Sequence, residues 1–428
     1  MLVGLFVVLL LMLFLGTPVL LAIGAVGFVG MVIVGLDPAL FPQKMFTRID
    51  SFALLAMPYF ILAGELMSKG GLSKKLVEFS ETVVGHMRGG LGQSAVLANM
   101  VFANVSGSAT ASTAAIGSVL VHAMKERRYK PGFAASLLAV SGVIGSIIPP
   151  SMIMIVYGSM AGVSIGGLFL GGILPGLLIT GGLMALIYGH SFLPGFPELR
   201  DTTGGFRIME VFRSLPKLWS AVLAPVIVLG GIMTGIFTAT EAGAIACIYA
   251  FIVAFFVYRS IKLRDLPKIL VDAAVTTTMV VGVISVAGAF GWLLTYLDFN
   301  EQVKLILGGV SHNPRVVLLT LLGIMLVLTM FIESLAVLII LIPVIVGIGR
   351  QFGLDPLYLG MLVVLATQIG SVTPPVAVVL FVGTSIAGTT YDQTLRYCLP
   401  FILVLIAVLL LVFWFPWLAT LIPHHFLG

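Results

Sequence analysis

The sequence predicts an all-α, polytopic membrane protein, and three observations support that fold class. Hydrophobic residues make up 60% of the 428-residue chain and charged residues only 9%, against roughly 25% charged in soluble domains. Runs such as 220–258 and 399–421 are long enough to cross about 30 Å of hydrocarbon. They lack the polar alternation of transmembrane strands, so the spans are helices. Finally, two diproline runs interrupt apolar segments in different halves of the chain. They read Gly145-Ser146-Ile147-Ile148-Pro149-Pro150-Ser151 and Gly370-Ser371-Val372-Thr373-Pro374-Pro375-Val376. Proline removes an amide donor and clashes with the preceding turn, so each helix breaks there. Broken backbone at membrane depth survives only where it is buried in protein or lines a polar cavity. Paired breaks in two halves point to an ion or substrate site of a secondary transporter.

The elements follow in order. Residues 2–35 are apolar and interrupted by Gly16-Thr17-Pro18, which gives two short helices or one kinked helix. No basic region precedes them, so they are expected to be a retained anchor. The loop 37–50 is near neutral, with Lys44 and Arg48 against Asp37 and Asp50. Residues 52–68 are a span. The stretch 69–89 is basic and amphipathic and is expected as an arm helix lying in the interface. Residues 91–124 are apolar but carry Asn99, Asn104, Ser106, Ser108, Thr110, Ser112 and Thr113 midway. The segment 132–163 holds the first diproline break, and 165–188 is a further span. A polar linker at 191–217 is expected in the cytoplasm. The second half, 218–428, starts again with spans at 220–236 and 242–258. A basic arm at 259–275, a span at 276–296 and an apolar hairpin at 316–349 interrupted by Glu333 follow. The broken helix 357–387 and a last span at 400–421 close the chain.

The same order of elements in 1–190 and 218–428 is a weak internal repeat. The formal charge of +5 is concentrated in loops, with four basic residues at 125–130 and four at 259–268. The positive-inside rule places such loops in the cytoplasm. Segment 91–124 then begins and ends on one side, as a re-entrant hairpin turning at its polar middle. Its counterpart 316–349 falls on the other side, so the repeats are expected to be inverted. Charges scattered between apolar spans do not make the contiguous face a nucleic acid needs.

The chemistry concentrates where hairpins face breaks. The first candidate site joins Ala103-Asn104-Val105-Ser106-Gly107-Ser108 to 145–151. The second joins 329–334 to 370–376. Unwound helix ends expose carbonyls without intrahelical partners. Carbonyls and hydroxyls are hard oxygen ligands that suit an alkali cation, and helix C-termini add partial negative charge. Amides at a hairpin N-terminus suit a carboxylate. Glu333, an intramembrane carboxylate, is a functional candidate by default. It can hydrogen-bond substrate hydroxyls or help to hold a cation. Glu65 and Glu241 lie near expected helix ends, where structural roles are favoured. Cys247 and Cys398 read as buried, inert thiols. No phosphate-binding Gly-x-x-x-x-Gly-Lys-Ser/Thr loop, zinc pattern or paired nucleophile and base is present, so a nucleotide-driven pump and an enzyme are both disfavoured. The histidines fall mostly at loops and termini.

Several stretches together carry a family resemblance over nearly the whole chain. They are Met57-Pro58-Tyr59-Phe60-Ile61-Leu62-Ala63-Gly64-Glu65, Asn104-Val105-Ser106-Gly107-Ser108-Ala109-Thr110-Ala111, the first diproline run, and 231–241 ending Gly-Ile-Phe-Thr-Ala-Thr-Glu. The chain resembles the large membrane subunit of tripartite ATP-independent periplasmic (TRAP) transporters. The resemblance implies an elevator-type transporter of the ion-transporter-superfamily kind in a bacterial or archaeal inner membrane. It also implies a separate small four-helix membrane subunit, a periplasmic substrate-binding protein, and sodium-driven uptake of an organic acid such as a C4-dicarboxylate or sialic acid. By position, a first sodium site would use Ala103, Ser106, Gly145, Ile148 and Pro149, largely through carbonyls. A second would use Thr329, Gly370, Thr373 and Val376. Ser108, Ser151 and Glu333 would face the substrate. The sequence departs from the family at Ala239, where Thr-Ala-Thr-Glu replaces Thr-Pro-Thr-Glu. It also has Glu333 where some members that carry sialic acid have Asp, which leaves the acid open. A stand-alone carboxylate carrier without a binding protein is the closest alternative. A structural scaffold gives no reason for two polar hairpins facing two breaks.

Overall fold

A computed structural model describes residues 1–200, 219–299 and 313–427. The described residues form helices and connecting turns, with no strand among them. Residues 201–217 of the expected linker and most of the loop at 298–315 lie outside the described residues.

The first half opens with α1 (Leu2–Phe14) and α2 (Val19–Ile33). Of the two readings of the N-terminal segment, two separate helices is the one observed. Gly16 turns the chain at φ +81° and Pro18 precedes α2. Next come α3 (Leu40–Ile49), α4 (Ala56–Lys69) with a short 3-10 turn before it, and α5 (Leu72–Val84). The arm expected at 69–89 is thus split: Lys69 closes α4, and Gly71, at φ +76°, starts α5. α5 buries Leu72, Leu76 and Val77 while Lys74 and Glu78 stay exposed, as an amphipathic surface helix does. Then follow α6 (Gly90–Ser106), α7 (Ala109–Glu126), α8 (Pro131–Gly142), α9 (Met152–Ala161) and α10 (Ile165–His190).

The second half contains α11 (Trp219–Met233), α12 (Ala239–Ile252), α13 (Leu266–Tyr296), α14 (Pro314–Phe331), α15 (Ser334–Gln351), α16 (Pro356–Gly370), α17 (Val378–Ala387), α18 (Tyr391–Trp414) and α19 (Trp417–Leu427). The arm and span expected separately at 259–275 and 276–296 are one helix from Leu266 onward. No glycine or proline divides them, and Thr276 and Thr277 donate their hydroxyls to the carbonyls of Asp272 and Ala273, which holds the helical turn. Seven helices among the described residues are long and apolar enough to cross a membrane, including α10, α13, α14, α15 and α18.

Caps mark the helix starts. Thr238 and Glu241 form a reciprocal capping box at α12, which accounts for Glu241 as a helix-end residue. Asp355 accepts from the amides of Leu357 and Tyr358 at 2.8 Å each, opening α16. α8 and α16 are buried along nearly their whole length, consistent with apolar residues on every face. They form the centre of the core. α8 packs against α17 and α18, and α9 packs against α15 and α16, so the broken helices of the two halves meet. Around them, α4 packs on α12, and α13 packs on α2, α3 and α4. Cys247 and Cys398 are free thiols, the latter buried.

Candidate functional site

At the first break, α8 tightens into a 3-10 turn over Val143–Ser146 and then unwinds until Ser151 caps α9. The tip of the α6–α7 pair meets it. Gly107 turns the tip at φ +58°, and a Cβ there would stand 2.8 Å from the Pro150 carbonyl oxygen. Only glycine combines that backbone with that approach. The Gly107 carbonyl accepts from the Met152 amide at 3.3 Å, joining tip to break. Ser106 Oγ and Ser112 Oγ are 2.5 Å apart. A Cβ on Gly145 would fall 2.1 Å from Ser112 Oγ and 3.1 Å from the Ser108 carbonyl oxygen. Gly145 therefore lies directly against the tip. The Ala103 carbonyl accepts from the Gly107 amide at 3.4 Å. Ile148 turns its side chain onto α10 at Gly176, and Pro149 joins Pro150 through a cis peptide bond.

The second break has the same parts. α16 ends at Gly370, the chain unwinds through another cis diproline, and Ala377 begins α17 at φ +50°. The amides of Val376 and Ala377 both donate to the Met330 carbonyl, at 3.2 and 3.3 Å. Thr329 Oγ1 donates to the carbonyls of Met325 and Leu326. A Cβ on Gly370 would lie only 1.7 Å from that oxygen. Thr373 Oγ1 donates to the Ile369 carbonyl at 2.6 Å. The Val376 carbonyl accepts from the Tyr391 hydroxyl at 3.1 Å. Glu333 caps α15, its Oε2 accepting from the Ala336 amide at 3.2 Å.

Between the two tips lies a cavity of about 830 Å³, walled on its other side by α4 and α13. Of the residues expected at the site, Ser106, Ser108, Thr329 and Glu333 line it. Ala103, Gly145, Ile148, Pro149, Gly370, Thr373 and Val376 stand behind this lining, around the two breaks. Ser151 does not reach the cavity: it is fully buried, and its hydroxyl donates to the Ser146 carbonyl at 2.6 Å. Ser108 caps α7 and shares a 3.0 Å hydrogen bond with Thr110 Oγ1. Among the charged side chains of the described residues, only Glu65 and Glu333 line the cavity. Glu65 is paired with Lys69 at 3.2 Å, and Lys69 also meets Asp272 at 2.6 Å.

One residue escaped the sequence reading. Gln368 Oε1 accepts from Ser146 Oγ, so a side chain of the second half meets the first break. The Gln368 carbonyl accepts from Ser371 Oγ at 2.7 Å. Gln368 lines the cavity and is 2% exposed. Its signal was a primary amide in an apolar run, two residues before Gly370.

This arrangement of two hairpin tips, two unwound breaks and one hydroxyl-lined cavity can be compared with known proteins. The family model described as "Tripartite ATP-independent periplasmic transporter, DctM component" matches residues 6–418. The chain belongs to this DctM family. It is 35% identical to the C4-dicarboxylate TRAP transporter large permease protein DctM of Pseudomonas aeruginosa, covering 89% of this chain and 88% of that one. It is 35% identical to the sialic acid TRAP transporter large permease protein SiaM of Vibrio cholerae, over 90% of each. The 2,3-diketo-L-gulonate TRAP transporter large permease protein YiaN of Escherichia coli is 36% identical, over 89% and 88%. In fold, the chain is similar to the Alcanivorax borkumensis YdaH transporter, with a TM-score of 0.59 at 14% identity over 89% of this chain and 88% of that chain. The chain is thus a TRAP large permease, a multi-pass protein of the bacterial inner membrane. The DctM family is a transporter family and not a class of enzymes.

Proposed function

We propose that this DctM-family chain is the transport subunit of a sodium-coupled, binding-protein-dependent importer of a small organic acid. The observation that carries the reading is that both hairpin tips, each seated on an unwound break, open onto one cavity. Discontinuous helices offer carbonyls and C-terminal ends to a cation, and amide ends to an anionic substrate. In this reading one sodium ion is held around Ala103, Ser106, Gly145, Ile148 and Pro149. A second is held around Thr329, Gly370, Thr373 and Val376. Hard monovalent cations take oxygen ligands, and these segments supply carbonyl and hydroxyl oxygens. Ser108 and Glu333 contact the substrate, while Ser151 acts through the backbone it fixes.

The hairpins and broken helices move together as one body against α4, α12 and α13, in an elevator movement. Support comes from the packing, in which α8 packs with α17 and α9 with α15, while α12 and α13 each pack on α4. A small membrane subunit completes the stationary part, and a periplasmic binding protein delivers the acid. The family assignment favours this tripartite reading over a stand-alone carrier. The test is uptake of radiolabelled organic acids into proteoliposomes holding both membrane subunits, with the binding protein outside. Uptake is expected to need an inward sodium gradient. Equal uptake with and without the gradient refutes sodium coupling.

A further inference from the structure

The charges around the cavity narrow the class of acid it takes, on the premise that this cavity is the transport site. Among the described residues, no lysine, arginine or histidine lines it, and the two charged lining residues are both carboxylates. Glu65 is paired with Lys69. Glu333 has no ion pair among the described residues, and the Ala336 amide donates to its Oε2. Its side chain is exposed inside the cavity. A fixed carboxylate repels a second anion and accepts hydrogen bonds from hydroxyls.

The opposite tip differs. Ser108 caps α7, presenting hydroxyls and the amide end of a helix with no acidic residue in its first turn, a setting that favours a carboxylate. Gln368 adds a neutral donor between the tips: its Oε1 is occupied by Ser146, and its Nε2 makes no hydrogen bond among the described residues. A ligand lying across the cavity therefore meets an anion-favouring end, a neutral donor, and an anion-rejecting acceptor.

The geometry points to a polyhydroxylated monocarboxylate as the substrate class, oriented with its carboxylate toward Ser108 and its hydroxyls toward Glu333. A short dicarboxylate forces its second anion against Glu333, whereas a sugar acid offers that residue donors. A hydrogen bond to a charged group is worth about a factor of ten or more in affinity.

The test measures ligand binding by the full-length permease itself, apart from the selectivity of a binding protein. The chain is purified in detergent with sodium chloride, and its thermal unfolding is titrated with gluconate and with succinate. Gluconate is expected to stabilise the wild type at concentrations about tenfold lower than succinate. Glu333→Gln is expected to weaken gluconate and strengthen succinate, bringing the two acids close to parity. Glu333→Asp, which keeps both the charge and the helix cap, retains the preference and controls for loss of the cap. Succinate equal to or better than gluconate on the wild type overturns the inference, as does an unchanged ratio in Glu333→Gln. Stabilisation by neither acid overturns it too. If sodium-driven uptake of an acid into proteoliposomes persists alongside such a result, only the substrate class has failed. If that uptake is also absent, the transport reading fails with it.

Discussion

Replacing Gly370 with alanine places a methyl group where the structure has no room for it. The new Cβ would lie 1.7 Å from Thr329 Oγ1, 2.6 Å from Thr329 Cβ and 2.8 Å from the Leu326 carbonyl oxygen. Thr329 cannot swing aside cheaply, because its hydroxyl is spent on the Met325 and Leu326 carbonyls at 2.8 and 3.0 Å. Relief must come from separating α14 and α16 at the point where the second hairpin tip rests on the break. Overpacking of this kind costs about 1–3 kcal/mol. If the proposed second cation site bears that cost, sodium affinity falls about 5- to 150-fold. The assay is acid uptake into proteoliposomes as a function of external sodium, for wild type, Gly370→Ala, Thr329→Ala and the double variant. Removing the threonine hydroxyl takes away the nearest atom, so the double variant recovers part of the loss, a coupling that a double-mutant cycle reads directly. Gly323→Ala, in the same helix α14, is the control. No atom lies within 4 Å of its added Cβ, and alanine is the better helix former by about 0.5–1 kcal/mol. An unchanged sodium half-saturation in Gly370→Ala, with no coupling to Thr329, refutes the argument.

Three further outcomes follow from the same geometry. Ser106→Ala shifts sodium dependence less than Gly145→Ala, because carbonyl ligands survive removal of a hydroxyl while a methyl at Gly145 meets Ser112 Oγ at 2.1 Å; a sodium titration giving the reverse order argues against carbonyl coordination. Gln368→Leu removes the acceptor from the second half and leaves the buried Ser146 hydroxyl on the Val143 carbonyl at 2.9 Å, lowering stability by about 0.5–1.5 kcal/mol, read as an earlier thermal unfolding transition in detergent. Thr238→Val dismantles the capping box of α12 and costs about 1 kcal/mol; its unfolding temperature falls while its sodium half-saturation stays at the wild-type value.

The breaks were legible because proline acts locally: Pro149, Pro150, Pro374 and Pro375 end their helices whatever surrounds them. The N-terminal segment stayed ambiguous because Gly16 and Pro18 permit either a kink or a turn, and only the positive φ at Gly16 decides. The continuity of α13 was hidden for a different reason. Basic residues near 259–268 read as an interfacial arm, yet charge pattern does not terminate a helix and no breaker follows it. Ser151 looked like a pocket residue from its place beside the break, but its direction depends on how α9 turns, and the turn aims its hydroxyl at Ser146. Gln368 was missed because a lone amide in an apolar run looks like packing. Its meaning arises only when Ser146, 222 positions earlier in the chain, comes alongside.

That bridge bears on how the protein is made. When the ribosome has delivered α8, its neighbours α17 and α18 do not yet exist, and Ser146 still awaits its acceptor. The packing of α8 on α17 and α18, and the Ser146–Gln368 hydrogen bond, can form only after the second half has been synthesised.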